Sequence, residues 1–294
     1  MRSNGSFVHR FKAMTVPCEV QLFGSSKASQ IAAMIEQNTR RLEQKYNFYS
    51  EQSWLTGELN QRSGQSVLLD DESLVVFQTL KNLVKGTAGV FDPTVGSLKW
   101  LLAKNASLSR ARAYQMAQPM MGEEAWHLED NQLLISHHET RFDLGGVIKE
   151  FAIDQAFNLA QSLGVTAALI NFGGDIRALG SKPNQEAFNV AVVNPNDPTQ
   201  AFFSLPLANS ALTTSAHYER KTQFSDEQTS HILSDKGTHS KVLSVTVVAP
   251  TALEAGAIST ALTIDPLLPV PDEVAVIFID DQLKIHQDTE FLTQ

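Results

Sequence analysis

The chain has a single cysteine, Cys18, in 294 residues. That excludes an intramolecular disulfide and a cysteine-based metal cluster, and Cys18 itself reads as a buried thiol in a strand. Long apolar runs are missing as well. None approaches the ~18 residues of a bilayer-spanning helix, so no membrane span is expected. Positive charge is the scarcer sign, with 23 Lys and Arg against 32 Asp and Glu and a net charge of −9. This balance argues against nucleic acid and anionic membrane surfaces as partners, while leaving room for a local basic pocket. No G-x-G-x-x-G motif and no strict βαβ rhythm occur, which removes the signature of a Rossmann unit. There is no Pro/Ser-rich linker, internal repeat or low-complexity tract. Residues Met1 to Arg10 contain no apolar core of a secretory signal. The expectation is a cytoplasmic chain, or a periplasmic one if a leader has been removed.

What is present is a mixed pattern of strands and helices. Val16 to Phe23 alternates apolar and polar residues as a strand does, and Thr166 to Phe172, Phe188 to Val193 and Leu243 to Val248 read as further strands. Helices are predicted over 28–46, 72–85, from about Gly146, and over 251–262. Hairpins are predicted over 124–136 and near the C-terminus, where 274–279 pairs with 282–286. Trp54 to Leu69 reads as irregular surface. The irregular alternation predicts an α+β fold, mostly antiparallel in its sheet and flanked by helices.

Five segments carry chemistry. Arg141-Phe142-Asp143-Leu144-Gly145-Gly146-Val147-Ile148-Lys149 joins an acid, two glycines and a cation at a helix start, where backbone N–H groups lack partners; this is the build of an anion site. Phe91-Asp92-Pro93-Thr94-Val95-Gly96 is a turn presenting an acid and a hydroxyl. Asn171-Phe172-Gly173-Gly174-Asp175-Ile176-Arg177 puts glycines, an acid and an arginine at a strand end. Ala211 to Tyr218 concentrates hydroxyls, followed by Ser230-His231-Ile232-Leu233-Ser234-Asp235, so His217 and His231 are candidate general bases. Last, Val247-Val248-Ala249-Pro250-Thr251-Ala252 leads into a helix carrying Glu254, Gly256, Ser259 and Thr260.

In this order the segments resemble the ApbE family, the FAD:protein FMN transferases, over roughly Met14 to Leu262. The resemblance implies a T-fold-related ApbE-like domain over 14–294, preceded by a short extension at 1–13, with 104–140 as a subdomain or lid. It also implies FAD as ligand, Mg²⁺ at the pyrophosphate, and an acceptor flavoprotein that takes FMN on a Thr or Ser hydroxyl as AMP is released. Carried over by position, Met14, Tyr49, Phe91, Asp92, Asp143, Lys149 and Ile232 would contact FAD. His231 would be the base, and Gly146, Ser259 and Thr260 would face the metal. The departures are local. The family's aspartate, four residues before Thr260, is here Gly256; its glycine after the lysine is Glu150; and Ala216 and His217 replace a Gly-Asp pair. Glu254, two residues from Gly256, lies about 200° around the helix and does not substitute for the aspartate. A catalytically weak FAD-binding protein and an FAD pyrophosphatase yielding AMP and FMN are the alternatives.

Overall fold

Alternation decides the sheet. In Val16–Phe23 the side chains of Cys18, Val20 and Leu22 turn inward while those between them face outward, so one side of the strand can seal a core. The computed structural model describes residues 2–3, 5–62, 64–216, 221–230 and 241–293. In chain order the strands are β1 (Arg2–Ser3), β2 (Ser6–Ala13), β3 (Val16–Phe23), β4 (Ser66–Leu68), β5 (Trp126–Glu129), β6 (Gln132–Ile135), β7 (Ala167–Phe172), β8 (Asp175–Leu179), β9 (Phe188–Asn194), β10 (Asp197–Leu207), β11 (Ala211–Ala216), β12 (Lys221–Gln223), β13 (Gln228–Ser230), β14 (Val242–Ala249), β15 (Ala275–Asp280) and β16 (Ile285–His286). The α-helices are α1 (Ala28–Lys45), α2 (Asp71–Gly86), α3 (Gly96–Lys104), α4 (Arg110–Ala117), α5 (Ile148–Ser162) and α6 (Ala252–Ile264).

Among the described residues, nine strands form one sheet in the order β1-β2-β3-β7-β8-β11-β14-β15-β16, and each of its paired neighbours runs antiparallel. Helices α1, α5 and α6 lie against this sheet, α5 packing on α1 and on α6. The antiparallel ribbon β9–β10 covers a second apolar cluster built on Phe188, Val190, Val192 and Ile176. No described helix is long and apolar enough to cross a membrane.

Three findings revise the sequence reading. Residues before Met14 do more than extend the chain: β2 pairs with β3 over its whole length, from Ser6 opposite Phe23 to Ala13 opposite Val16. Trp54 to Leu69 is surface only in part. It makes one π-helical turn and one 3₁₀ turn that bury Leu55 and Leu59 completely, then β4, which buries Val67. Its apolar residues follow neither a strand nor an α-helical period, which is why pattern alone missed them. Segment 104–140 divides. Helix α4 joins α3 around Leu98, Leu101, Ala113 and Met120, whereas the hairpin β5–β6 places Trp126, Leu128, Leu133 and Ile135 in the main core.

Candidate functional site

The turn at 91–96 and the strand-like stretch at 141–143 are pinned together. Val95 bridges Arg141 in parallel, the Asp143 N–H donates to the Pro93 carbonyl at 2.9 Å, and the Arg141 N–H donates to Ser97 Oγ at 2.9 Å. A glycine is required at the crossing. An ideal Cβ on Gly96 would lie 2.6 Å from the Arg141 carbonyl oxygen and 2.9 Å from the Phe48 ring. Behind it, buried Asn60 clamps the Phe142 backbone from both sides: its Nδ2 donates to the Phe142 carbonyl at 3.0 Å and its Oδ1 accepts from the Phe142 N–H at 2.8 Å.

Each acid of these turns has a defined occupation. Asp92 accepts from Thr94 N–H at 2.8 Å and Thr94 Oγ1 at 2.5 Å through one oxygen, and from Gly122 N–H at 3.0 Å through the other. Burial pushes its carboxyl above the ordinary range, although those bonds pull the other way. Both its oxygens serve the turn. Asp143 accepts from Gly145 N–H at 2.8 Å and pairs with Lys99, so it folds the Gly145-Gly146 loop back toward the helix start. Helix α5 then begins at Ile148 with no side-chain cap. Gly146 is exposed there, and a Cβ on it would stand 3.6 Å from the Phe91 ring.

Lys149, one residue into α5, joins three motifs. Its Nζ lies 2.8 Å from Glu150 Oε1 and also contacts Asp175 of β8, whose Oδ1 accepts from Thr214 N–H of β11 at 3.4 Å. Beyond it Arg177 pairs with Asp154 at 2.6 Å. The Asp154 carboxylate also accepts from the N–H groups of Ala252 and Leu253 at 2.9 and 3.0 Å, fastening α6 to α5. On α6 a chain of hydroxyls faces β11: Ser259 Oγ is 3.2 Å from Thr213 Oγ1 and 2.9 Å from Ser215 Oγ, and Ser215 Oγ is 3.1 Å from Thr260 Oγ1. Ser259 is fully buried and donates to the Gly256 carbonyl at 3.0 Å.

The structure therefore brings Phe91 beside Gly146, and Ser259 beside Thr260, while Lys149 ties the helix start to β8. Met14 lies in the β2–β3 turn, its N–H donating to Glu43 Oε1 at 2.5 Å. That turn abuts the glycine bend, because a Cβ on Gly173 would meet the Val16 side chain at 2.8 Å. Tyr49 is 82% exposed and stacks edge-on against Phe48, at the rim of the Gly96 crossing. His217, His231 and Ile232 lie outside the described residues. Among the described residues no three His, Cys, Asp or Glu side chains are grouped as a metal site. Sequence reasoning missed Asn60, and noted Glu150 only as a departure with no role. The first gave no signal within its segment, whereas the second stood in plain view beside Lys149.

Fold and site together define a class: an α+β protein in which two glycine-bearing turns, an uncapped helix start and a lysine shared by two carboxylates meet at one corner. A sequence profile described as the ApbE family matches residues 14–269, and the chain belongs to that family. The "FAD:protein FMN transferase" of Klebsiella pneumoniae is 30% identical over 127 residues, 42% of this chain and 36% of that protein, so this match spans about a third of the relative. The protein of the same description from Treponema pallidum is 24% identical over 271 residues, 83% of this chain and 74% of the relative. The crystal structure of the ApbE protein of Thermotoga maritima shares the fold, with a TM-score of 0.86 and 24% identity over 98% of both chains.

Proposed function

We propose that this protein binds FAD and transfers its FMN half to a Thr or Ser hydroxyl of an acceptor flavoprotein, releasing AMP. The observation that carries the reading is the corner around Lys149, where the 141–149 loop, the 171–177 bend and the hydroxyl-bearing strand β11 converge on one cation at an uncapped helix start. Helix-start amides and the Lys149 ammonium at such a corner hold a diphosphate in line, and because Lys149 already serves Glu150 and Asp175, neutralising that diphosphate calls for a cation as well. Relatives described as FAD:protein FMN transferases support the choice of ligand.

In this reading Met14, Tyr49 and Phe91 flank the aromatic parts of FAD. Asp143 shapes the Gly145-Gly146 loop, and Lys149 meets the phosphates. Asp92 acts by holding its turn, since both its oxygens are engaged. The hydroxyl oxygen of the acceptor forms a bond to the FMN phosphorus as the bond from that phosphorus to the bridging oxygen breaks. AMP leaves with the bridging oxygen, and the hydroxyl proton passes to a base, for which His231 is the candidate. Ile232, beside it, would contact FAD.

A hard divalent cation fits the corner on one observation: Glu150 is buried, and its Oε2 has no hydrogen-bond partner. The Gly146 carbonyl and Thr260 Oγ1 would help hold Mg²⁺, and Ser259, whose hydroxyl is already shared among core groups, would brace Thr260. When bound, the ion would supply neutralisation of charge on the diphosphate.

The test is to incubate the protein with FAD, Mg²⁺ and an acceptor, then separate nucleotides and protein by chromatography. AMP appearing together with protein-bound flavin supports transfer. Free FMN with AMP indicates a pyrophosphatase, and intact FAD that co-elutes with the protein indicates a binding protein alone.

A further inference from the structure

Two helices meet at the corner, and each departs from expectation at one residue. On α6, Gly256 offers no side chain one turn before Thr260. On α5, Glu150 carries a carboxylate that is only 7% exposed. The two positions compete for the same space. An ideal Cβ on Gly256 would lie 2.7 Å from Glu150 Cγ, 3.2 Å from its Cδ and 3.5 Å from its Oε1. The Glu150 side chain therefore fills the volume that a residue at 256 would use.

The charges around it do not balance. Lys149 serves both Glu150 Oε1 and Asp175, so one ammonium answers two carboxylates. Asp154 and Arg177 beside them form a pair of their own. Glu150 Oε2 is left buried with no donor, and a carboxylate oxygen removed from water without a partner is strongly disfavoured. A bound cation would satisfy both the orphan oxygen and the excess negative charge. The hydroxyl oxygens of Ser215 on β11 and Thr260 on α6, 3.1 Å apart, are of the kind that suit a hard ion.

We propose that Glu150 supplies the carboxylate ligand of a divalent-cation site at the α5–α6 junction, transposed across the helix pair from position 256. The proposal rests on the flavin-transfer reading for the ion's role, but its binding test stands apart from that activity. With one carboxylate and no three-acid cluster among the described residues, the site is completed by ligand phosphates, as Mg²⁺ sites commonly are. FAD and the cation therefore reinforce each other's binding.

The experiment titrates Mn²⁺, followed by the electron paramagnetic resonance signal of the free ion, with and without FAD. It compares the natural chain, Glu150→Gln, Gly256→Asp, and the exchange variant Glu150→Gly/Gly256→Asp. The expectation is a Mn²⁺ affinity strengthened by FAD, reduced at least ~10-fold in Glu150→Gln, and restored in the exchange variant. Gly256→Asp alone lowers the unfolding temperature because its Cβ collides with Glu150, and the exchange relieves this. Natural Mn²⁺ affinity in folded Glu150→Gln overturns the proposal. So does the absence of Mn²⁺ binding by the natural chain, or a folded exchange variant that binds none. If Glu150→Gln does not fold, Glu150→Ala takes its place, and natural Mn²⁺ affinity in that variant overturns the proposal. A chain that binds Mn²⁺ through Glu150 yet never transfers flavin keeps this proposal and removes the transfer reading; transfer that is indifferent to Glu150, with unchanged Mn²⁺ binding, does the reverse.

Discussion

Asn60 closes two buried hydrogen bonds on the backbone of Phe142, next to the acid that shapes the glycine loop. Truncation leaves a buried N–H and a buried C=O without partners. Asn60→Ala should therefore lower stability by about 2–5 kcal/mol in urea unfolding, and weaken FAD binding because the Phe142 backbone beside Asp143 loses its clamp. Cys18 makes a different prediction. Burial, the leading cause, pushes its thiol from 9.0 up to about 11, and burial likewise takes Tyr46 from 10.0 to about 12. Both groups keep their protons more tightly in the fold than in the unfolded chain. The stability they contribute is complete below their unfolded values and is lost as pH rises through roughly 9 to 12. Denaturation midpoints should fall across that window, and the native protein should react with thiol reagents at neutral pH far more slowly than the unfolded chain.

Helix α6 shows how elements are fastened. Its first turn is capped twice, by Thr251 Oγ1 accepting from Glu254 N–H at 3.2 Å and by the Asp154 carboxylate reaching across from α5. Arg177 shares that carboxylate, and its guanidinium lies 3.8 Å from the centre of the Phe157 ring. Asp154→Ala strips the helix start and strands a buried guanidinium, with an expected cost of about 3–5 kcal/mol by chemical denaturation. Asp154→Asn retains acceptor capacity and should lose less.

The same scale shows what could be read in advance. β3, α1, α2, β7 and the β5–β6 hairpin follow clean periods of two or 3.6 and were legible. β2 was not, because Arg10 and Lys12 interrupt its apolar residues and its partner β3 lies beyond the turn. Helices α3 and α4 were also missed: their apolar faces cover a small core of their own, so neither shows a strong stripe. Asp143, Lys149 and Thr260 were singled out through the order of the motifs and the family resemblance that order carries. The relation of Glu150 to Gly256 could not be found that way, since it exists only where α5 and α6 touch. Gly256, taken alone, looked like a lost ligand. Beside Glu150 it is the vacancy that lets another carboxylate in.

At the scale of the whole molecule, a chain of net charge −9 gathers backbone amides, one lysine and a row of hydroxyls at the junction of its sheet with α5 and α6. The negative surround disfavours unspecific anion binding, so the corner should select a ligand that brings a cation with it. Lys149→Gln, which removes the shared ammonium, should weaken FAD binding by ~10-fold or more and leave Asp175 and Glu150 facing each other. A fluorescence titration of the flavin measures this directly.

The central claim is group transfer, and the mass of the acceptor tests it most directly. An acceptor with a Thr or Ser flavinylation segment, incubated with this protein, FAD and Mg²⁺, should gain the mass of one FMN joined through a phosphoester, with one AMP released for each flavin attached. An acceptor of unchanged mass, while FAD is bound and left intact, would contradict the account.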